Sequence, residues 1–159
     1  MNNSRVRVYS NRGFYIADLS VYTSRVWQKN TFGTCEIRMS ILDPKATEYI
    51  LRFGNIVLIE HDSLPAWVGF IDTPMKWISG QISITVYQME QYMRYVYTDK
   101  ARIFTNTANG SIAQMLYQEC LMPRIYSKIG KIDVDSKFST STTYNYEDLL
   151  SALKKLTDE

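Results

Sequence analysis

The feature that most restricts the fold is a series of short strand-like runs, separated by turn residues, over the first 98 residues. The clearest run is residues 34–41, where apolar and polar residues alternate with period two. We expect one set to face a core and the other to face solvent: inward Cys35, Ile37, Met39 and Ile41, outward Glu36, Arg38 and Ser40. Several such runs at spacings of about ten residues are typical of a small antiparallel barrel or sandwich.

The runs that precede this strand predict two strand pairs. Residues 5–19 read as a hairpin that turns at Asn11-Arg12-Gly13. Residues 24–29 are expected to pair with residues 34–41. Both pairs have the alternation of strands with one solvated face.

A short helix is predicted over residues 43–52. Asp43 is a suitable N-cap, because its carboxylate can accept from free backbone N–H groups, and Pro44 fits the first helical position. Gly54 stands where a left-handed C-terminal residue is needed. The apolar side of this helix is predicted to comprise Ala46, Ile50 and Leu51.

Strands resume after this helix. Residues 55–60 form a nearly continuous apolar run that indicates a central strand, and residues 66–71 are its expected partner after a turn at residues 61–65. Gly69 lies inside the second run and indicates a bulge or the close approach of another backbone.

The last strands of this region form a predicted hairpin. Ser79-Gly80 has the composition of a two-residue turn between residues 76–78 and 81–87. Residues 89–97 fit a final strand or a short helix about equally well, and both alternatives stay open. Residues 1–98 are therefore predicted as one antiparallel β-barrel domain.

Residues 99–159 have a different pattern and are predicted as an α+β segment with two helices, an incomplete second domain. Asn109 or Ser111 is expected to cap a helix that ends near Leu121, and Asn145 to cap a final helix. The apolar stripe of the first helix comprises Ile112, Met115, Leu116 and Cys120. The stripe of the second helix comprises Leu149, Leu150, Leu153 and Leu156. Between the helices, the expected buried positions are Ile129, Ile132 and Val134. The last stripe needs a partner, either the helix near residue 116 or residues beyond this chain. The fold class is thus α+β, mainly β.

Composition and charge do not favour nucleic-acid binding, metal binding or a membrane segment. The formal net charge is +2, with Lys and Arg spread along the chain, whereas nucleic-acid binders usually carry a clustered basic excess. Cys35 and Cys120 fit no metal-ligand spacing and are expected to be buried free thiols, as suits a reducing compartment. The first residues lack the apolar segment of a signal peptide, and no run is long enough for a membrane helix. We expect synthesis in the cytoplasm, without membrane binding by this segment.

Catalytic, cofactor-binding and metal-binding residues are not predicted. His61 beside Asp62 could orient an imidazole, but neighbours in a strand-like turn usually point apart, and a surface histidine is the favoured interpretation. Gly110 and Gly130 stand alone and do not form a phosphate loop. Carboxylates pair in space, so a catalytic set drawn from Glu36, Glu60, Asp62 and Asp72 is an alternative of low weight. The chain is therefore predicted not to be an enzyme.

Two binding alternatives involve aromatic and basic residues. A carbohydrate-stacking platform would use Trp27, Trp67 and Trp77, although the apolar neighbours of Trp67 favour packing in the core. Barrels of the OB type bind single strands through aromatic platforms and basic grooves. Such a groove would require adjacent strands carrying Arg5, Arg7, Arg25, Lys29 and Arg38.

The order of motifs resembles the N-terminal region of phage tail hub proteins, the tail-associated proteins of siphophages, which are similar to the baseplate hub of contractile phages. Three motifs follow Trp27: Thr31-Phe32-Gly33-Thr34-Cys35-Glu36-Ile37, Phe53-Gly54-Asn55-Ile56-Val57-Leu58-Ile59 and Pro65-Ala66-Trp67-Val68-Gly69-Phe70-Ile71. A hairpin that ends in Ile82-Ser83-Ile84-Thr85-Val86-Tyr87 comes after them. Cys35 replaces the phenylalanine that is usual in the first motif. The resemblance covers residues 20–98 and extends weakly to residues 113–116 and 146–150.

The resemblance implies a structural component of a phage or prophage tail tip or baseplate hub. It implies a homotrimeric ring of barrel domains at the end of the tail tube, in contact with distal tail and tape-measure proteins. DNA would pass through the channel without specific recognition, and the protein would be located in the virion tail. Family members continue into further domains, sometimes lytic ones, and that activity is not carried over to this chain.

Overall fold

Strand pairing in the first part of the chain produces one antiparallel sheet. Its strands are β1 Ser4–Tyr9, β2 Tyr15–Leu19, β3 Tyr22–Val26, β4 Thr34–Ser40, β5 Ile56–His61, β6 Leu64–Ile71, β7 Lys76–Ile78 and β8 Gln81–Gln88. A computed structural model of the chain describes residues 4–20, 22–26, 33–61, 64–72, 75–126 and 138–157. Within them the order is β2-β1-β5-β6-β8-β4-β3, with β7 paired to β8.

The sheet is curled into a half-barrel. β2 and β3 stand at opposite ends of the strand order. Leu19 ends β2 and Tyr22 begins β3, so covalent geometry keeps their Cα atoms within about 11 Å. The two ends of the sheet must therefore approach each other at this corner. The predicted fold class, α+β and mainly antiparallel β, is confirmed.

The inner face of the sheet forms the core of the first unit, which comprises Met1–Glu90. Alternation in β4 is confirmed at Cys35, Ile37 and Met39, whereas Ile41 lies past the strand end and is exposed. The buried cluster comprises Val6, Val8, Ala17, Leu19, Cys35, Ile37, Met39, Leu51, Val57, Ile59, Trp67, Ile71, Ile82, Ile84 and Val86.

Both hairpins predicted around short turns are confirmed. β1 pairs with β2, and β7 pairs with β8. Ser79 and Gly80 both have positive φ, 47° and 78°, as a type I′ turn requires. The turn predicted at residues 61–65 is shorter, because His61 already pairs with Leu64 as the ends of β5 and β6.

The helix predicted over residues 43–52 is wrong, because residues 41–54 form consecutive turns, which we call the turn segment. Asp43 accepts from the N–H of Lys45, 2.8 Å away, which closes a local turn. The side-chain amide of Asn55 donates to the carbonyls of Tyr49 and Ile50, both at 3.0 Å, and so takes acceptors that a helix would use. The predicted apolar side survives, since Leu51 is buried in the core and Gly54 has a φ of 83°.

The second unit comprises Gln91–Glu159. Within its described residues, β9 Arg102–Ala108 pairs with β10 Ser139–Tyr144, and the helices are α1 Asn109–Leu116 and α2 Leu149–Lys154. A π-helical turn, Tyr117–Leu121, continues α1 to the predicted end. A 3-10 helix, Met89–Tyr95, resolves the ambiguity at residues 89–97 in favour of a helix.

Both predicted helix caps are wrong. α1 begins after Ala108, and the side chain of Asn109 instead donates to the carbonyl of Leu156. α2 is capped by Asp148, which accepts from the N–H of Ser151 at 2.9 Å. In the predicted stripes Ile112, Leu116, Cys120, Leu149 and Leu156 are buried, whereas Leu150 and Leu153 are half-buried and Met115 is exposed. Ile129, Ile132 and Val134 lie outside the described residues.

Candidate assembly interface

The first unit exposes large apolar side chains along the turn segment and β7. We call this set the aromatic face: Ile41, Leu42, Tyr49, Phe53, Trp77 and Ile78. Trp77 is 66% exposed and Leu42 is 87% exposed. Aromatic side chains are enriched in protein interfaces, and clustered exposed apolar groups mark interaction surfaces.

A pocket of about 540 Å³ opens between Phe53 and Trp77. Leu51 and Met75 give it an apolar lining, and three charged side chains also reach it. The residues of this aromatic pocket are Glu48, Leu51, Arg52, Phe53, Asp72, Met75 and Trp77. Among the described residues, the side chains of Glu48 and Arg52 have no hydrogen-bond or ion-pair partner.

Phe53 is held at the surface by the end of the turn segment. Gly54 adopts a left-handed conformation, and its N–H donates to the carbonyl of Ile71 at 2.8 Å. The Phe53 ring meets the buried ring of Phe70 edge to face, with centroids 6.5 Å apart. Phe53 is therefore anchored on Phe70 while about half of its side chain stays exposed, at 52%.

Trp77 is exposed because it lies where the sheet ends. It pairs with Ile82 across β7 and β8, and directly paired residues project from the same face of a sheet. Ile82 is buried in the core, so Trp77 projects from the core-facing side of β7. No further described strand covers Trp77 there, so its ring stays in contact with solvent although it projects from the core-facing side of the sheet.

A second exposed aromatic group lies at the turn between β1 and β2, residues 10–15, which we call the hairpin tip. Phe14 is 71% exposed, and Tyr15 packs edge to face on Tyr9 with centroids 5.9 Å apart. The Ser10 hydroxyl accepts from the N–H groups of Arg12 and Phe14, at 3.3 and 3.1 Å. These bonds fix the turn that presents Phe14.

The basic stripe required by the nucleic-acid alternative does not form among the described arginines. Arg5 pairs with Asp18 at 2.6 Å, Arg7 pairs with Glu60 at 2.8 Å, and Arg38 pairs with an acid of its own strand. β5, β6 and β8 separate β1 from β4 in the sheet order. The side chain of Arg25 and the whole of Lys29 lie outside the described residues.

These pairs perturb two carboxylates. The Arg5 guanidinium hydrogen-bonds to Asp18 and lowers the pKa of that carboxyl. Hydrogen bonds from Arg38 and then from the Ser83 hydroxyl, 2.7 Å away, lower the pKa of Glu36. Both acids therefore act as ionised partners of arginines on the outer face of the sheet.

The carboxylates weighed as a catalytic set are not brought together where the structure describes them. Glu60 lies on β5 and Glu36 on β4, with β6 and β8 between these strands. Asp72 lines the aromatic pocket. Asp62 and the side chain of His61 lie outside the described residues.

The three tryptophans do not share one surface role. Trp67 is buried in the core, as its apolar neighbours predicted, and its ring lies against Gly69. Trp77 belongs to the aromatic face, and Trp27 lies outside the described residues. A platform that includes Trp67 is therefore excluded.

Both cysteines are free and buried, as predicted. The Cys120 sulfur is 3.8 Å from an Arg102 nitrogen, and burial raises the pKa of the Cys120 thiol. Arg102 also binds Glu119 and, at 3.2 Å, Asp99. This cluster ties β9 to the π-helical turn and has the character of a structural ion pair.

Sequence reasoning missed Phe14, Tyr49 and Phe53 as surface residues. Phe14 follows Gly13, and Phe53 precedes Gly54, and both glycines adopt positive φ. A large aromatic beside a turn glycine was the available signal, because tight turns lie at the surface. The sequence does not state whether a neighbouring element covers such a ring.

No protein-family model and no curated protein matches this chain. None of the described helices has the length and apolar character needed to cross a membrane. The described residues contain no group of three or more histidine, cysteine or acidic side chains placed to hold a metal ion.

Proposed function

We propose that the chain is a structural assembly module of a phage or prophage tail tip or baseplate hub. In this role its first unit forms a ring with copies of itself at the end of the tail tube, around the channel for tape measure and DNA. The chain acts as a scaffold and not as an enzyme. The order of the three sequence motifs, carried on β4, β5 and β6, supports this assignment.

The observation that carries the proposal is the aromatic face. Trp77 and Phe53 are exposed around an open pocket. Another chain that covers this pocket would remove both apolar side chains from water, which is typical of an interaction surface.

The nucleic-acid alternative is less well supported, because Arg5, Arg7 and Arg38 are paired with acids. A gel shift with single-stranded DNA at low salt is its test. Counterion release would make any such binding weaken steeply as salt increases.

The proposal is tested by measuring the mass of the full chain by sedimentation, alone and with a distal tail or tail-tube protein. The expected result is a trimer that joins the tail-tube protein. A chain that stays monomeric at all concentrations and never joins tail proteins contradicts the proposal.

A further inference from the structure

A ring of identical copies requires two different surfaces on each copy. A contact made by one patch with itself gives a closed dimer, whereas head-to-tail contacts between two patches give rings. The first unit has two exposed aromatic groups, the hairpin tip and the aromatic pocket. This inference rests on the proposed function and names the surfaces that would join the copies.

The hairpin tip has the properties of a projecting element. Phe14 is the most exposed aromatic of this unit's described residues, and the Ser10 hydroxyl and the Gly13 N–H fix the turn beneath it. Because the backbone of the turn is already fixed, less conformational freedom is lost when the tip binds.

The aromatic pocket has the properties of a receiving element. Its volume is in the range of sites that enclose a compact group, and Phe53 and Trp77 offer ring faces and edges to another aromatic. Apolar side chains line it together with a small number of charged groups, which would orient the occupant.

The charges of the two surfaces are complementary. The tip, residues 10–15, carries Arg12 and no acid. The pocket lining carries Glu48 and Asp72 against Arg52. The formal charge of the tip is therefore positive and that of the lining is negative, which favours contact between the two surfaces over tip-to-tip contact.

We infer that Phe14 of one copy inserts between Phe53 and Trp77 of the next copy, so that the occupant of the aromatic pocket is a second copy of this chain. The contact is head to tail and repeats around the ring. Aromatic anchors at the centre of an interface dominate its affinity.

Cross-linking of paired variants tests the contact. Asn11→Cys in the hairpin tip and Arg52→Cys in the pocket lining keep the aromatic rings, and both positions are exposed. The two variants are mixed in equal amounts and treated with a short thiol-to-thiol cross-linker. A covalent pair with one copy of each variant is expected in the mixture, and little linkage when either variant is alone. The wild-type chain reports the background, because Cys35 and Cys120 are buried.

A matched pair controls for proximity. Val68→Cys places a thiol at an exposed apolar position of the first unit outside the aromatic pocket, and its mixture with Asn11→Cys is expected to remain unlinked. Equal linkage of Asn11→Cys with itself, or no linkage in the first mixture while the wild-type chain self-associates, overturns the inference.

Sedimentation gives an independent readout. Phe14→Asp is expected to weaken self-association about tenfold or more while circular dichroism stays unchanged. An unchanged trimer contradicts the head-to-tail contact but leaves the proposed function intact. A wild-type chain that never self-associates contradicts the proposed function itself, so the two failures are distinguishable.

Discussion

Gly69 of β6 lies so close to the carbonyl oxygen of Tyr87 in β8 that a Cβ atom built on it would be only 2.4 Å from that oxygen. The Trp67 ring occupies the same space, at 2.4 Å from the added atom. β6 and β8 pair through Gly69↔Gln88, Phe70↔Tyr87 and Ile71↔Val86 alone. A glycine at position 69 therefore allows the two halves of the sheet to join.

Gly69→Ala is expected to lower the free energy of unfolding by about 2–3 kcal/mol, because the new methyl group forces backbone and ring apart. Urea unfolding of the full chain measures the loss. Gly54→Ala is the control: its site has open space but a φ of 83°, so it is expected to cost about 1 kcal/mol. Equal losses at the two sites would contradict crowding as the cause.

Substitutions of the two described tryptophans are expected to affect the free energy of unfolding very differently. Trp67→Ala removes a buried core side chain and should lower the free energy of unfolding by about 3–5 kcal/mol. Trp77→Ala removes an exposed side chain and should change it by less than about 0.5 kcal/mol.

Although Trp77 is expected to contribute little to stability, self-association is expected to depend on it. Sedimentation of folded Trp77→Ala should reveal a trimer weakened about tenfold relative to wild type. If Trp77→Ala unfolds the chain as readily as Trp67→Ala does, Trp77 belongs to the core and the aromatic face is not an interface.

Sequence patterns predicted the elements in which apolar residues are buried and polar residues are exposed. They failed where a charged residue is buried or an apolar one is exposed. β4 and the hairpin at Ser79-Gly80 were predicted because their alternation and turn residues agree with the fold. β9 was missed because its first two residues reverse the usual pattern: Arg102 is buried beside acids, while Ile103 is 77% exposed. Phe104 is buried on the same face as Arg102, but one apolar residue is too weak a signal of alternation to predict the strand.

The turn segment and the candidate site depended on contacts that residue patterns do not show. Asn55 takes the carbonyls of Tyr49 and Ile50, and this contact decides against a helix that capping residues alone predicted. The exposure of Phe53 and Trp77 depends on the register of β7 against β8 and on where the sheet ends. Composition indicated many aromatics, and only the pairing of strands separates those in the core from those at the surface.

Acid is expected to weaken the contacts of β4 with β8. The pKa of Glu36 is lower in the folded chain than its ordinary value, through Arg38 and Ser83. Such a group stabilises the fold fully above its unfolded pKa, near 4.5, and the contribution is lost as pH falls through the lowered folded pKa. Glu36→Gln should therefore reduce the difference between urea midpoints at pH 7 and pH 3.

Glu48→Gln is the matched control for this pH dependence. The Glu48 side chain takes no part in the hydrogen bonds of Glu36 with Arg38 and Ser83, so Glu48→Gln controls for the loss of one negative charge from the surface. A Glu36→Gln chain with the full wild-type pH dependence would show that other carboxylates account for it.

The second unit offers a test of its own at Arg102. The side chain is only 6% exposed, and it binds Glu119 and Asp99, which are themselves partly in solvent. Arg102→Ala removes charge-assisted hydrogen bonds that join β9 to the π-helical turn, and the two acids regain water. We expect a loss of about 2–3 kcal/mol in the free energy of unfolding, since hydrogen bonds to charged groups contribute about 1.5–3 kcal/mol.

Lys100→Ala, which removes an exposed cation 3.7 Å from the same Glu119, is expected to cost less than about 0.5 kcal/mol. Thermal unfolding monitored by circular dichroism compares the two variants, and equal losses would mean that burial of Arg102 is not what makes the cluster stabilising.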